Sequence, residues 1–460
     1  MTDWVAEEFG AVEFGDRRLT ARLQTLAAAL GAQPMASLPE ACGDASATTA
    51  AYRFFNNTAV TPDALLAGHV QATWRRVQAV PVVLAVQDTT LLDWSQHPAT
   101  TGLGRLAQAT QRGLLAHTTV AFTPEGLPLG LLAQEVWARD DARYGQLADH
   151  HDRPVAEQES QQWLTSLAAV GTAQRQCPGV RFVSVGDREA DVYDLFLAPR
   201  PVGVDLLVRA TQDRATRDGA GHLWATVAAV PATATATVQV PARGGQPART
   251  AVLTVRWCAV TLRPPRRRAP ERLPTVTLWA VLAREEAPPA DASAVSWLLL
   301  TTVPVTSAAA ALERLAWYAC RWGIEVWHKV RKSGCRIEAK QLQDAARLQR
   351  CLALYSVIAW RILWATLLAR TAPDRPCTVL LCPAEWQALY CRIHRTTVLP
   401  ARLPTAGQVV RWLAELGGYL ARTSDGPPGV TVLWRGFRHL TDLTAMYTLF
   451  RPPARRCVQR

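Results

Sequence analysis

Over the first 75 or so residues, apolar positions return every three or four places, as in DRRLTARLQTLAAALG, and this spacing predicts amphipathic helices. Thr61 followed by Pro62 reads as a helix start, a capping hydroxyl with proline at the first helical position. From about residue 81 the texture changes. PVVLAVQDTT is a continuous apolar run of the kind a buried strand shows, and LAHTTVAFTPEGLPLGLLAQEVW predicts two strands joined by a turn at Pro124 and Gly126. PVAEQESQQWLTSLAAVGT predicts an amphipathic helix, GVRFVSVGDREAD a second apolar strand, and VDLLVRA a third. This βββαβαβ order predicts an α/β domain with a mixed sheet and helices on its faces.

Between about 212 and 294 the alternation of ATATATVQV and TAVLTVRW predicts a β-rich insertion, which also holds the basic, proline-rich stretch RPPRRRAPERLP. SWLLLTTVPV returns to a buried strand, a helix runs from about 307 to 333, and further helices follow 375 with a break at SDGPPGV. Three parts result: helical 1–75, an α/β domain over 76–375 carrying the insertion, and helical 376–460.

Composition narrows the class. Of 460 residues 49% are apolar and 19% charged, as in ordinary globular chains, and the formal net charge of +12 points to a polyanionic partner, nucleic acid first. The acidic start MTDWVAEEFGAVEF lacks an apolar targeting core, and the runs PVVLAVQ and SWLLLTTVPV are too short to cross a bilayer, so a cytoplasmic protein with no membrane partner is expected. Cysteines are scattered. Cys377, Cys382, Cys391 and His394 fit no common zinc spacing and read as packed side chains. Only three lysines occur among 50 basic residues, and all three, Lys329, Lys332 and Lys340, fall in one short window.

That window adjoins the candidate chemistry. Asp88 and Asp187 each follow an apolar strand, at the sheet edge where α/β proteins place their sites. Either alone reads more readily as a turn or helix-capping aspartate. On the helix WYACRWGIEVWHKVRKSG, Tyr318, Arg321, Glu325 and Lys332 fall within about 60° of arc, beside a separate apolar stripe of Leu312, Leu315, Ala319, Val326 and Val330. Trp322 flanks the polar stripe. An exposed Arg–Glu pair gives the same i,i+4 spacing, but explains neither the aromatics nor Gly323 inside the helix. Two strand aspartates and a helical glutamate make an oxygen shell suited to Mg²⁺, with Mn²⁺ able to substitute, and two such ions serve in-line phosphoryl displacement.

These residues resemble the DDE transposases with an RNase H-like core, and more narrowly the bacterial insertion sequence four family, the group that includes the Tn-five transposase. Tyr318, Arg321, Glu325 and Lys332 match that family's Y-x2-R-x3-E-x6-K signature, and QDTT and GDREAD resemble its aspartate motifs. GDRRLTAR and AAYRFFNN resemble its N-terminal region, and LGGYLARTSDGPPGVTVLWRGF its C-terminal region. The resemblance implies that Asp88, Asp187 and Glu325 are the metal-binding catalytic residues. It implies double-stranded DNA as partner: Arg22 and Arg53 at the element's terminal repeat, Arg209, Trp297, Tyr318, Arg321, Trp322, Lys329 and Lys332 near the cut. A homodimer bridging two ends through the C-terminal helices is implied too. Thr211, Ala32 and Gln341 stand where the best-known relative is basic, so end recognition is expected to differ. A stand-alone nuclease and a non-catalytic DNA-binding regulator are the alternatives.

Overall fold

The computed structural model describes residues 4–108, 110–140, 161–240, 248–290 and 292–450. Five helices open the chain: α1 (Trp4–Phe9), α2 (Arg17–Ala32), α3 (Leu38–Cys42), α4 (Ala45–Asn56) and α5 (Pro62–Val77). The starts are written in the sequence. Asp16, Ser37, Asp44 and Thr61 each accept a backbone N–H at the first turn of the helix that follows, and Pro62 stands at the first position of α5.

The α/β part begins with β1 (Val82–Asp93), β2 (Gly104–Arg105), β3 (Arg112–Phe122) and β4 (Pro128–Trp137). Then come α6 (Gln161–Gln176), β5 (Arg181–Gly186), α7 (Tyr193–Leu197) and β6 (Val204–Arg209). The 154–160 portion of the expected amphipathic helix lies outside the described residues. Strands β4, β3 and β1 run antiparallel in series, β5 is parallel to β1, and β6 is parallel to β5. That is the RNase H-like arrangement. The insertion holds α8 (Leu223–Ala228), β7 (Ala234–Val240), β8 (Arg249–Leu262) and β9 (Val276–Arg284), and β10 (Ser296–Thr301) closes it. It does not stand apart: β10 pairs antiparallel with β6 and with β9, so β7 to β9 extend the central sheet to ten strands.

Side chains of alternate parity on a strand point to opposite faces. Val83 and Ala85 join the core under α6 and α7, whereas Leu84 and Val86 join the larger core shared with the later helices. Those helices are α9 (Ala308–Ala319), α10 (Trp322–Lys329), α11 (Ala345–Thr371), α12 (Pro383–His394), α13 (Ala406–Leu416) and α14 (Val430–Phe450).

Two expectations need correction. The helix expected over 307–333 is not continuous. Its backbone tightens at Cys320, where Arg321 N–H bonds Tyr318 O at 3.0 Å and Gly323 N–H bonds Cys320 O at 2.9 Å, and it widens into a π turn over Val330–Gly334. A uniform 100° per residue therefore misplaces Lys332. Secondly, α11 is long and apolar enough to cross a membrane, contrary to the expectation from the shorter runs. It is instead the central core helix, with 89% of its apolar window buried in the protein.

Lys340 ties the ends of this architecture together. Its ammonium, almost fully buried, donates to Ala36 O and, at 3.4 Å, to Pro34 O, and lies 4.7 Å from the centre of the Tyr355 ring. Burial holds its pKa below that of a free lysine. The surrounding segment is laced to the chain after β1: Asp93 N–H bonds Glu338 at 2.9 Å, and Thr100 Oγ1 bonds Leu342 O at 2.9 Å.

Candidate active site

The period of two decides which strand residues meet the helices. Leu84 and Val86 face them, so Asp88 does too; Val183 and Val185 set the same direction for Asp187, Leu207 for Arg209, and Leu299 for Trp297. Asp88 is not at the end of its strand, as the sequence suggests. β1 continues to Asp93 against β3, while β5 pairs with it only from Val82 to Val86. Asp88 is uncovered because its neighbour stops, and Asp187 stands just past that stop. Asp187 also caps the short 3₁₀ turn Arg188–Ala190 by accepting Glu189 N–H at 2.9 Å. The capping role and the site role coincide.

Burial pushes the Asp88 carboxyl up to about 6, with Arg321, the Thr89 N–H and Arg331 acting in the opposite sense. Asp187 is likewise raised, first by burial and then by the charge of Asp88. Two neighbouring anions short of solvent are a site that a cation relieves. Here that cation is Arg321. Its guanidinium bonds Glu325 at 2.6 Å, interacts with both aspartates, and lies about 5.8 Å from the centres of the Tyr318 and Trp322 rings (5.8 and 5.9 Å). Burial works against its charge, but Tyr318, Glu325 and Asp88 together raise its pKa. Arg321, expected near the cut, here pairs with Glu325 and neutralises it.

Among the described residues no three acidic, histidine or cysteine side chains stand close enough to share one ion. The donor chemistry nevertheless suits a hard divalent cation: two desolvated aspartates near one another, and a glutamate bound to the arginine that interacts with both.

The other expected residues sort by exposure. Tyr318 is buried, its ring 5.6 Å from that of Trp297 at 65°, so it positions Trp297 and Arg209 rather than meeting DNA directly. Arg209 bonds Ser296 O at 3.0 Å. Trp322 is half exposed and Lys329 is exposed, both on the open side of α10. Lys332 turns toward the end of β1, with Nζ 2.5 Å from Leu91 O and 3.7 Å from Glu338. Arg22 and Arg53 come together across α2 and α4, with Arg18, around a groove of about 510 Å³. Arg53 also borders a cleft of about 700 Å³ whose far wall is 96–100 and 341–343.

One group was missed. His328 Nε2 lies 3.2 Å from Asp88 Oδ2, and Arg331 Nη2 lies 3.3 Å from His328 Nδ1. An arginine only donates, so Nδ1 accepts and the proton sits on Nε2, which lies near Asp88 but has no aligned hydrogen-bond partner among the described residues. Burial, with Arg331 and Lys332 beside it, holds His328 neutral. Helical spacing places His328 within about 20° of Arg321 on the polar stripe, a signal that could have found it.

With the site in place, the comparisons fall on the two flanking parts. Residues 1–60 match the family model described as transposase DNA-binding, and residues 357–448 that described as transposase Tn5 dimerisation domain. Both flanking parts thus resemble those of a Tn5-like transposase. A cryo-EM structure of a piggyBac transposase synaptic complex with hairpin DNA shares 9% identity with it at a TM-score of 0.34; the alignment covers 88% of this chain and 60% of that one. Within the Tn5-like frame, Arg22 and Arg53 lie in the DNA-binding match, and α12, α13 and most of α14 in the dimerisation match.

Proposed function

We propose that this chain is a cut-and-paste DNA transposase that cleaves at the ends of its element and joins them to new DNA. The observation that carries the reading is the gathering of Asp88, Asp187 and Glu325 around Arg321 where β5 ends beside β1 in the middle of an RNase H-like sheet, in a chain flanked by transposase DNA-binding and dimerisation matches. Asp88, Asp187 and Glu325 would hold Mg²⁺, or Mn²⁺ in its place, which would supply water activation and neutralise charge on the phosphate.

This chain's own residues do the rest. In cleavage, a water oxygen bonds to phosphorus, the P–O3′ bond breaks, and the element keeps a free 3′-hydroxyl. In joining, that hydroxyl attacks a phosphodiester of the target, a new P–O bond forms, and the displaced 3′-oxygen leaves with a proton. Arg321, released from Glu325, then faces a phosphate with its bidentate fork. His328 packs beside Asp88, and Trp297 and Trp322 offer faces for an unstacked base. A homodimer is needed to cut two ends in concert, with the C-terminal helices as the contact.

Asp88→Ala, Asp187→Ala and Glu325→Ala are expected to abolish Mg²⁺-dependent cleavage while leaving end binding intact. Full cleavage by any one of them overturns the assignment. A strand-transfer assay with wild type separates a transposase, which joins, from a nuclease, which only cuts.

A further inference from the structure

The turn between β8 and β9 has no part in the chemistry above, yet it is the most basic stretch of the chain. Arg263–Arg272 holds five arginines and one acid, Glu271. That acid is occupied: Arg268 bonds Glu271 twice at 2.7 Å and Asp194 of α7 at 2.5 and 3.0 Å. Arg263, Arg266, Arg267 and Arg272 are exposed, and among the described residues none makes a side-chain hydrogen bond, ion pair or ring contact. Arg217, equally exposed and unpaired, is brought alongside by two backbone bonds, Arg217 N–H to Thr261 O at 2.9 Å and Arg263 N–H to Ala215 O at 2.8 Å. Its neighbour Asp218 uses its carboxylate on Thr261 N–H at 3.1 Å. Arg217, Arg263 and Arg266 share the wall of a cleft of about 430 Å³ with Pro264, Pro265, Ala269 and Thr275.

Two features separate this cluster from a merely soluble surface. A surface built for solubility mixes both signs; here four unpaired like charges crowd one turn with Arg217 beside it, and the local acid is taken by Arg268. The turn is also held still. Pro264, Pro265 and Pro270 restrict its backbone, Arg268 clamps its middle, and the Tyr193 hydroxyl donates toward Pro274 O at 2.7 Å and Leu262 O at 3.4 Å, gripping both its ends. Arginines fixed in advance lose less freedom when they bind. Besides its arginines the cleft is walled by proline, alanine and threonine, so no aromatic ring stacks a base, and an unstacked strand gains little here. What fits is the regularly spaced phosphate backbone of a duplex.

We propose that Arg217, Arg263, Arg266, Arg267 and Arg272 form a second DNA-binding face that grips duplex DNA of any sequence through its phosphates. It is distinct from the Arg22–Arg53 groove and rests on the reading that the chain acts on DNA. Its anchor, Asp194, is seven residues beyond Asp187, hence within about 25 Å of it. DNA on this face therefore lies about one helical turn or less from the cut, where flanking or target DNA must run.

The test is full-length protein titrated with a random-sequence 30-base-pair duplex over a salt series. The variant replaces the five arginines by glutamine and retains Arg268; a circular dichroism melt checks that it folds. Each lost phosphate contact lowers the salt slope by about 0.9, so the slope is expected to fall by roughly 3 to 4, with an affinity loss of tenfold or more at about 0.1 M salt. Arg22→Gln/Arg53→Gln is expected to produce a separate, additive loss. In a second measurement, Arg267→Cys carrying a photocrosslinker labels the duplex. An unchanged slope in the five-fold variant together with no crosslink overturns this face and leaves the transposase reading standing. A wild-type chain that binds no duplex at all overturns both.

Discussion

Arg331 offers a test in which stability and activity move in opposite directions. It is fully buried, has no carboxylate within ion-pair distance among the described residues, and leaves Nε without a partner. Its contacts are long: Ser356 Oγ at 3.4 Å, His328 Nδ1 at 3.3 Å, and the Trp327 ring with its centre at 4.4 Å. Burial lowers its pKa from 12.5 to about 9. That fall corresponds to about 5 kcal/mol held against the folded state, present in full below about pH 9 and gone only once the unfolded arginine also deprotonates. Two long hydrogen bonds and one ring contact offset about 2–3 kcal/mol of this. Methionine follows much of the same volume without the charge, so Arg331→Met is expected to stabilise the fold by about 1–4 kcal/mol. The same change takes the donor from His328 Nδ1 and alters the packing beside Asp88, whose Oδ2 lies 3.2 Å from His328 Nε2, so Mg²⁺-dependent nicking of element ends should drop about tenfold or more. Urea unfolding followed by tryptophan fluorescence, alongside a nicking time course, reads both. A variant less stable than wild type, or one that cuts at full rate, refutes the reasoning.

Gly323→Ala should lower the melting temperature, although alanine is the better helix former by about 1 kcal/mol. Its Cβ would stand 2.6 Å from Phe122 Cε1, and Phe122→Leu in the same chain should restore the loss; a higher melting temperature for the single variant contradicts this packing. Asp88→Asn should stabilise the protein in EDTA. Because the native carboxyl titrates near 6 rather than 3.8, wild type loses stability as pH rises between those values, so the gap opens there and levels near 3 kcal/mol at neutrality; a gap that ignores pH argues against a desolvated carboxyl. Leu449→Glu with Phe450→Glu removes two of the exposed apolar residues at the end of α14, and sedimentation should show DNA-bound monomers in place of paired ends; pairing at wild-type strength removes α14 from the contact.

The strands and most helices were legible because burial leaves a period: β1, β5 and β6 are apolar runs, and α2 and α5 carry caps and spaced leucines. The same parity put Asp88, Asp187, Arg209 and Trp297 on one face. What escaped was set by neighbours. Nothing in PVVLAVQDTT says that β5 stops at Gly186, which is what uncovers Asp88. Gly323 announced a close approach without naming Phe122. The π turn that redirects Lys332 depends on Gly334 meeting Trp434, a residue 100 positions later. Arg331 reads as one more cation in a basic run, and only tertiary packing makes it buried.

Lys340 bears on how such proteins can be recombined. The DNA-binding match ends at residue 60, which invites exchanging that stretch between relatives to redirect one enzyme to another's ends. The carbonyls of Pro34 and Ala36 that hold the lysine lie inside it. A graft that fails to present two oxygens at that spot strands an ammonium in the core, at a cost of several kcal/mol. A chimera of this kind can fail as a folded object before its sequence preference is ever expressed. Exchanging the lysine together with the stretch it holds, or replacing it by methionine first, removes that obstacle.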